Sequence, residues 1–126
     1  MKKLIALTLF GSVLSMSINA SESPVELLAG VEAGIDAGTV MTISDLNRTQ
    51  DILSSQPTGA LNTWYNIDTT THYELKIGQH YSQDLRPCIS YDLTVKHNSV
   101  TEEKELNSCM NYEGHWIAQL DMDSMN

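Results

Sequence analysis

The chain has 126 residues, with 16 Asp and Glu against 7 Lys and Arg, and its formal net charge is -9. This length fits a single domain. The acidic balance and the lack of any Lys/Arg cluster argue against nucleic acid as a partner, because neutralising phosphates requires a basic surface. The same balance disfavours anionic lipid surfaces.

The first 20 residues have the pattern of an export signal. Lys2 and Lys3 give a positive start, residues 4–14 form a mostly apolar stretch, and Ala20 is a small residue suited to cleavage. The apolar stretch is shorter than the roughly 20 residues of a transmembrane helix. A buried amphipathic helix is the alternative, and it fits this order of features poorly. We therefore expect residues 1–20 to be a signal peptide and the mature protein to be periplasmic or secreted, without a transmembrane segment. Loss of Lys2 and Lys3 leaves five basic and 16 acidic residues, a formal charge of -11.

Residues 21–41 form a segment in which glycine recurs every fourth residue, at Gly30, Gly34 and Gly38. On a helix these glycines would share one face, and Glu32 and Asp36 interrupt it. Two interpretations stay open. The segment is a weak or frayed helix, since glycine lowers helix stability by roughly 1 kcal/mol per residue, or the glycines form a face for helix packing or self-association.

A stronger helix is expected to begin near residue 42. Thr42 or Ser44 can cap it, and Asp45 complements the positive end of the helix dipole. The apolar or small residues that share one face are Leu46, Thr49 and Leu53. Pro57 and Gly59 should end the helix, because proline cannot continue its hydrogen-bond ladder.

From Leu61 onward the pattern changes to period two and predicts five short strands. They cover residues 61–67, 72–77, 88–96, 100–110 and 115–120, and the turn-forming segments between them are 68–70, 78–87, 98–99 and 111–114. Apolar and polar residues alternate, as in an antiparallel sheet with one buried face. The predicted fold is α+β, with an N-terminal helix or helices packed on an antiparallel meander of about five strands, and the domain spans residues 42–126.

Cys88 and Cys109 can be placed by register. If Asn98 and Ser99 form a two-residue hairpin turn, Cys88 lies directly opposite Cys109 in a non-hydrogen-bonded pair, where α-carbons approach to about 4.5 Å. That separation accommodates a disulfide, and an exported protein meets oxidising conditions. Two free thiols are the alternative. A bulge or a longer loop also stays open, because the register sets Leu93 opposite Lys104.

Several short motifs follow one another in a specific order over residues 42–119. They are Ser44-Asp45, Pro57-Thr58-Gly59, Thr63-Trp64, Asn66, Tyr73, Tyr81, Cys88 with Tyr91, and Cys109 followed by Gly114 and Trp116. In order and spacing they resemble the carboxy-terminal domain of the rickettsial-type 17 kDa outer-membrane surface antigens. The resemblance implies an envelope protein, associated with the outer membrane, without an established enzymatic role. The lipidated cysteine that such proteins carry after the leader is missing here, and Ile89 and Met110 stand where the family has arginine.

The sequence contains no Gly-rich phosphate loop, GxSxG or HExxH motif, so no catalytic residue, metal ligand or cofactor is predicted. The leading hypothesis is a non-catalytic exported binding module with an unknown, basic protein partner. Its candidate binding surface consists of Trp64, Tyr73, Tyr81 and Trp116, with core packing as the alternative for the two tryptophans. The run at residues 101–105 is either a docking surface for the basic partner or a solvated strand face.

Two other functions are considered. One is a small secreted hydrolase or metal-dependent enzyme, with His72, His80 and Asp84 as the residues that could gather around a metal. The other is a structural envelope protein that self-associates through the glycine face of residues 30–38.

Overall fold

The computed structural model describes residues 27–119, so the expected signal peptide lies outside the described residues. Within them the chain forms one α-helix, α1 (Ile43–Ser55), and five strands. The strands are β1 (Leu61–Asn66), β2 (Thr71–Gln83), β3 (Arg86–His97), β4 (Val100–Met110) and β5 (Trp116–Ala118). They pair in chain order, and every pair is antiparallel. The α+β architecture of a helix with a five-stranded antiparallel meander is thus confirmed. None of the helices in this part of the chain is long and apolar enough to cross a membrane.

Helix α1 begins at a reciprocal cap. The Asp45 N–H donates to Thr42 Oγ1, and the Thr42 N–H donates to Asp45 Oδ2 at 3.0 Å. These bonds satisfy amide groups that an uncapped helix leaves open. The chain leaves the helix through an extended Gln56, one residue before Pro57. Of the two caps expected from the sequence, Thr42 is the one used.

The β2–β3 hairpin differs from its prediction. Residues 78–87 were expected to form a turn, but β2 continues to Gln83 and β3 starts at Arg86. Asp84 and Leu85 alone make the turn, both with positive φ (53° and 68°), as a two-residue hairpin of right-handed twist requires. Most of the extra strand residues are exposed, and they lack the apolar alternation by which a strand is recognised. The register shifts between Ile77 and His80, which marks a bulge.

The β3–β4 hairpin follows the predicted register. Asn98 and Ser99 form the turn with φ of 50° and 70°, and pairing runs without a shift from His97↔Val100 to Cys88↔Cys109. The two cysteines form a disulfide with their α-carbons 4.0 Å apart. The predicted disulfide is confirmed, and Leu93 pairs with Lys104 without a bulge.

The sheet has two different faces. We call the face of β3 that carries Ile89, Tyr91, Leu93 and Val95 the inner face, and the opposite face, which carries Ser90, Asp92, Thr94 and Lys96, the outer face. The inner face is buried beneath α1 and residues 29–41. The core residues contributed by these two covering parts are Ile52, Leu53, Ala29, Ala33, Ala37 and Met41. Residues 29–41 therefore belong to the same folded unit as the sheet.

The described part of the glycine-spaced segment forms turns and a single 3-10 turn, Ile35–Ala37, instead of an α-helix. Gly30 and Gly34 adopt left-handed φ values of 100° and 89°. A Cβ at Gly34 would lie 2.9 Å from the Thr39 carbonyl oxygen, so only glycine fits this turn. The three glycines consequently do not share a helical face, and the surface on which the self-association hypothesis depended does not form.

Candidate functional site

The outer face of β3 and β4 carries acidic side chains that project into solvent. Strand pairing sets Asp92 directly opposite Glu105, and Thr94 opposite Glu103. The register that puts the two cysteines in a non-hydrogen-bonded pair does the same for Asp92 and Glu105, where side chains are closest. Two like charges in such a pair destabilise a sheet. The pair of Asp92 and Glu105 therefore does not contribute to the stability of the sheet.

A shallow depression of about 400 Å³ lies over these strands, lined by Asp92, Thr94, Glu103, Lys104 and Glu105. Lys104 does not neutralise it, because its ammonium group donates to the Glu32 carbonyl oxygen at 2.8 Å and lies 3.8 Å from the Glu102 carboxylate. Among residues 27–119, Asp92, Glu103 and Glu105 form no ion pair, although Lys76 of β2 lies directly opposite Asp92. We call these three residues, with Thr94, the acidic depression.

Glu74 lies on the same outer face, but unlike the acids of the depression it has a close cationic partner. The Lys96 ammonium donates to its carboxylate at 3.0 Å, and the His72 imidazole lies 3.5 Å away. The hydrogen bond from Lys96 holds the pKa of Glu74 below its usual value. The outer face therefore combines one neutralised acid on β2 with unpaired acids on β3 and β4.

The acidic run at residues 101–105 is divided between the two faces by the alternation of β4. Glu103 and Glu105 are exposed on the outer face, whereas Glu102 is only 6% exposed on the inner face. The N–H groups of Gly34 and Asp36 each donate to the Glu102 carboxylate at 2.7 Å. Glu102 thus attaches the glycine-spaced segment to the sheet. This role was not predicted from the sequence, where its only signal is that residue 102 shares a face with the buried Val95.

The predicted aromatic binding surface does not form. Trp64, Tyr73 and Trp116 are buried, at 8%, 0% and 5% exposure, and only Tyr81 is exposed. The rings of Trp64 and Tyr73 stack with centroids 5.0 Å apart, because they lie opposite each other on the inner face. The Trp116 indole N–H donates to Ser54 Oγ of α1 at 3.0 Å. These rings pack the core, which was the alternative for the tryptophans.

A buried carboxylate lies beside the aromatic pair. Asp45 is 2% exposed and accepts hydrogen bonds from the Trp64 indole N–H at 2.9 Å and from the Asn66 amide at 2.8 Å. Burial alone would raise the pKa of Asp45, but hydrogen bonds from Thr42, Trp64 and Asn66 outweigh it and hold that pKa below its usual value. The Arg48 guanidinium lies 5.9 Å above the Trp64 ring. With its acceptor capacity used by the fold, the Asp45 carboxylate is a structural group.

A second acid, Glu32, has the opposite environment. Burial raises its pKa, and its Oε1 atom has no hydrogen-bond partner among the described residues. Burial and then the charge of Glu32 raise the pKa of the neighbouring Tyr91, whose hydroxyl lies 2.9 Å from Ser108 Oγ. Glu32 and Tyr91 lie on the inner side of the sheet, away from the acidic depression.

The histidines proposed for the metal alternative are far apart. His72 and His80 are eight positions apart on the same strand, which corresponds to about 26 Å at the usual rise per residue. In residues 27–119 no three His, Cys, Asp or Glu side chains are grouped so that they could hold a metal ion. His72, His80 and Asp84 are therefore not brought together.

Comparison of the chain with protein-family models, with curated proteins and with solved structures gives no match. The resemblance to the surface antigens stays a prediction from the residues quoted above. Since the comparisons give no match, the evidence on function comes from the geometry of the acidic depression.

Proposed function

We propose that this chain is an exported, non-catalytic binding module of the cell envelope or the secreted fraction, similar to the 17 kDa surface antigens, and that the acidic depression binds a basic protein. The observation that carries the proposal is the like-charge pair of Asp92 and Glu105, with Glu103 beside it. Lys76 of β2 lies opposite Asp92, but none of the three acids forms an ion pair among the described residues, so the cluster keeps an excess of negative charge. A lysine or arginine of a partner would supply the missing charge.

Two further observations support the proposal. The mature charge of -11 raises the rate of encounter with cationic proteins at low salt. A disulfide such as that between Cys88 and Cys109 is typical of proteins in an oxidising compartment, and this agrees with the leader pattern of residues 1–20. A basic cell-wall hydrolase is the kind of partner that the envelope offers and that this surface fits.

The experiment compares two triple variants that lose the same charge. The first removes the acidic depression through Asp92→Asn, Glu103→Gln and Glu105→Gln. The control removes exposed acids elsewhere through Asp51→Asn, Asp68→Asn and Glu113→Gln. The probes are a lysine-rich dodecapeptide and a basic cell-wall hydrolase, and affinity is measured by calorimetry at about 50 mM salt.

We expect the first variant to bind both probes at least about tenfold more weakly, a loss of about 1.4 kcal/mol, while the control changes affinity less than about twofold. Equal losses for the two variants would mean that only net charge matters, and the proposed site would be wrong. A wild-type protein that binds neither probe would contradict the proposed function itself.

A further inference from the structure

Strand β1 is an edge of the sheet, and its backbone groups alternate in direction. The Ile77 N–H donates to the Ala60 carbonyl oxygen at 2.9 Å, so the ladder bonds to β2 are made at residue 60 and at every second residue after it. Leu61, Thr63 and Tyr65 therefore direct their N–H and C=O groups away from the sheet. Among residues 27–119, no backbone group pairs with them on that side.

This edge lacks the features that usually prevent strand pairing. Natural edges carry charged residues, prolines or bulges, but residues 58–67 contain neither a charge nor a proline, and β1 pairs with β2 without a register shift. Leu61, Tyr65 and Ile67 are exposed at 61%, 57% and 75%. The exposed row of β1 is thus neutral, free of register shifts and partly apolar.

The opposite edge of the sheet, beyond β4 and β5, differs from β1 in its charge. Beyond β4 the outward-directed residues include Glu103 and Glu105, and the described chain ends lie there as well. The Ala118 N–H donates to the Leu27 carbonyl oxygen, and the Gln119 N–H donates to the Asn107 carbonyl oxygen. Both ends of the described chain are therefore near β5, four strands away from β1.

We propose that β1 binds β1 of a second copy of this chain, in an antiparallel pair around a two-fold axis at Thr63. Thr63 then lies opposite Thr63 of the second copy, and Leu61 lies opposite Tyr65 of the second copy. The three outward-directed residues of each strand form six hydrogen bonds across the axis, and the leucine–tyrosine pairs pack on the outer face. The dimer contains a continuous ten-stranded sheet.

The charge distribution selects a second copy as the occupant. Molecules of charge -11 repel one another, so they can meet only where the surface is uncharged. Glu74 and its equivalent in the second copy would be three strand spacings apart, about 14 Å, which exceeds the Debye length of about 8 Å at physiological salt. A basic partner would instead be drawn to acidic surfaces. The pairing is also self-complementary, as a two-fold interface requires.

The dimer should be weak. Pairing two six-residue edges buries less than the roughly 1,200 Å² of a stable interface, so we expect dissociation constants on the order of 0.1 mM. The acidic depression lies on β3 and β4, so this inference does not depend on the proposed partner.

The test measures mass by sedimentation equilibrium on the disulfide-bonded chain from residue 21, from about 10 µM to about 1 mM protein in about 0.15 M NaCl. Thr63→Pro removes an outward-directed N–H without removing a ladder bond to β2. Thr101→Pro is the matched control, because Thr101 is also exposed and also directs its N–H away from the sheet, at the opposite edge.

We expect the wild-type protein and Thr101→Pro to rise from monomer toward dimer mass, and Thr63→Pro to stay monomeric. Hydrogen exchange of the wild-type protein gives a second readout that needs no variant. The amides of Leu61, Thr63 and Tyr65 should exchange at least about twofold more slowly at the higher concentration, and the Thr101 amide should not change. A monomeric wild type at about 1 mM, equal masses for the two variants, or protection of another edge would overturn the proposal.

Discussion

The buried Asp45 and the half-buried Glu32 have opposite effects on folding, and their hydrogen bonds explain the difference. Asp45 accepts bonds from Thr42, Trp64 and Asn66, and these stabilise the charged form. Glu32 leaves one oxygen without a partner, so burial favours its neutral form. The depressed pKa of Asp45 therefore makes its ionisation a source of stability, whereas ionisation of Glu32 lowers stability.

Asp45→Asn should lower the free energy of unfolding by about 2 kcal/mol at neutral pH, because the charged acceptor of several buried donors is lost. The folded pKa of Asp45 lies below its unfolded value. The stabilisation is thus fully present above about pH 4 and disappears as the pH falls through the folded pKa. Urea unfolding at about pH 7 and about pH 3 checks this. Asp51→Asn in the same helix is the control and should change little at either pH, and a cost for Asp45→Asn that is independent of pH would contradict the linkage.

At the scale of single elements, the β3–β4 hairpin explains why the two cysteines are close enough to form a disulfide. The Asn98-Ser99 turn fixes the β3–β4 register over its whole length, and nine pairs further along it brings Cys88 opposite Cys109. The disulfide then closes the far end of a hairpin that is already aligned by its turn. Its contribution should come mainly from restricting the unfolded chain.

Replacing both cysteines with alanine (Cys88→Ala and Cys109→Ala) should lower the free energy of unfolding by about 3 kcal/mol, from a loop with a sequence separation of 21. The strand pairing should persist, because the turn and the inner-face contacts still define it. Urea unfolding of the variant, and of the wild type under reducing conditions, measures the loss, and circular dichroism reports the sheet. A loss below about 1 kcal/mol, or a collapse of the sheet signal, would contradict this account.

Elements with local signals could be predicted from the sequence, and elements that depend on distant contacts could not. The Thr42–Asp45 cap and the Asn98-Ser99 turn involve residues close in the chain, so α1 and the β3–β4 register were predicted correctly. The polar end of β2 is a strand only because β3 pairs with it. The role of Glu102 depends on amides 66 and 68 positions away. The opposition of Asp92 and Glu105 follows from the predicted register and could have been derived from it. The contacts that direct Lys104 to Glu32 and Glu102 could not, because Glu32 is 72 positions away in the chain.

At the scale of the whole molecule, the charge is distributed unevenly over two sides of one sheet. The inner side uses Asp45 and Glu102 as hydrogen-bond acceptors. On the outer side of the described sheet, Asp92, Glu103 and Glu105 outnumber the neighbouring Lys76 and form no ion pair. A surplus of like charge destabilises a compact state, and salt screens that repulsion. The free energy of unfolding should therefore increase as the ionic strength increases.

Raising NaCl from about 10 mM to about 300 mM should increase the free energy of unfolding by on the order of 1 kcal/mol, because screening relieves repulsion within the folded chain. The triple variant Asp92→Asn, Glu103→Gln and Glu105→Gln should respond less, since it lacks the directly opposed pair. The control triple variant at residues 51, 68 and 113 has the same net charge and should keep more of the wild-type response. Urea midpoints at the two salt concentrations give the comparison. If the two variants respond equally, the repulsion is spread over the whole surface, and the acidic depression has no special electrostatic cost for a basic partner to relieve.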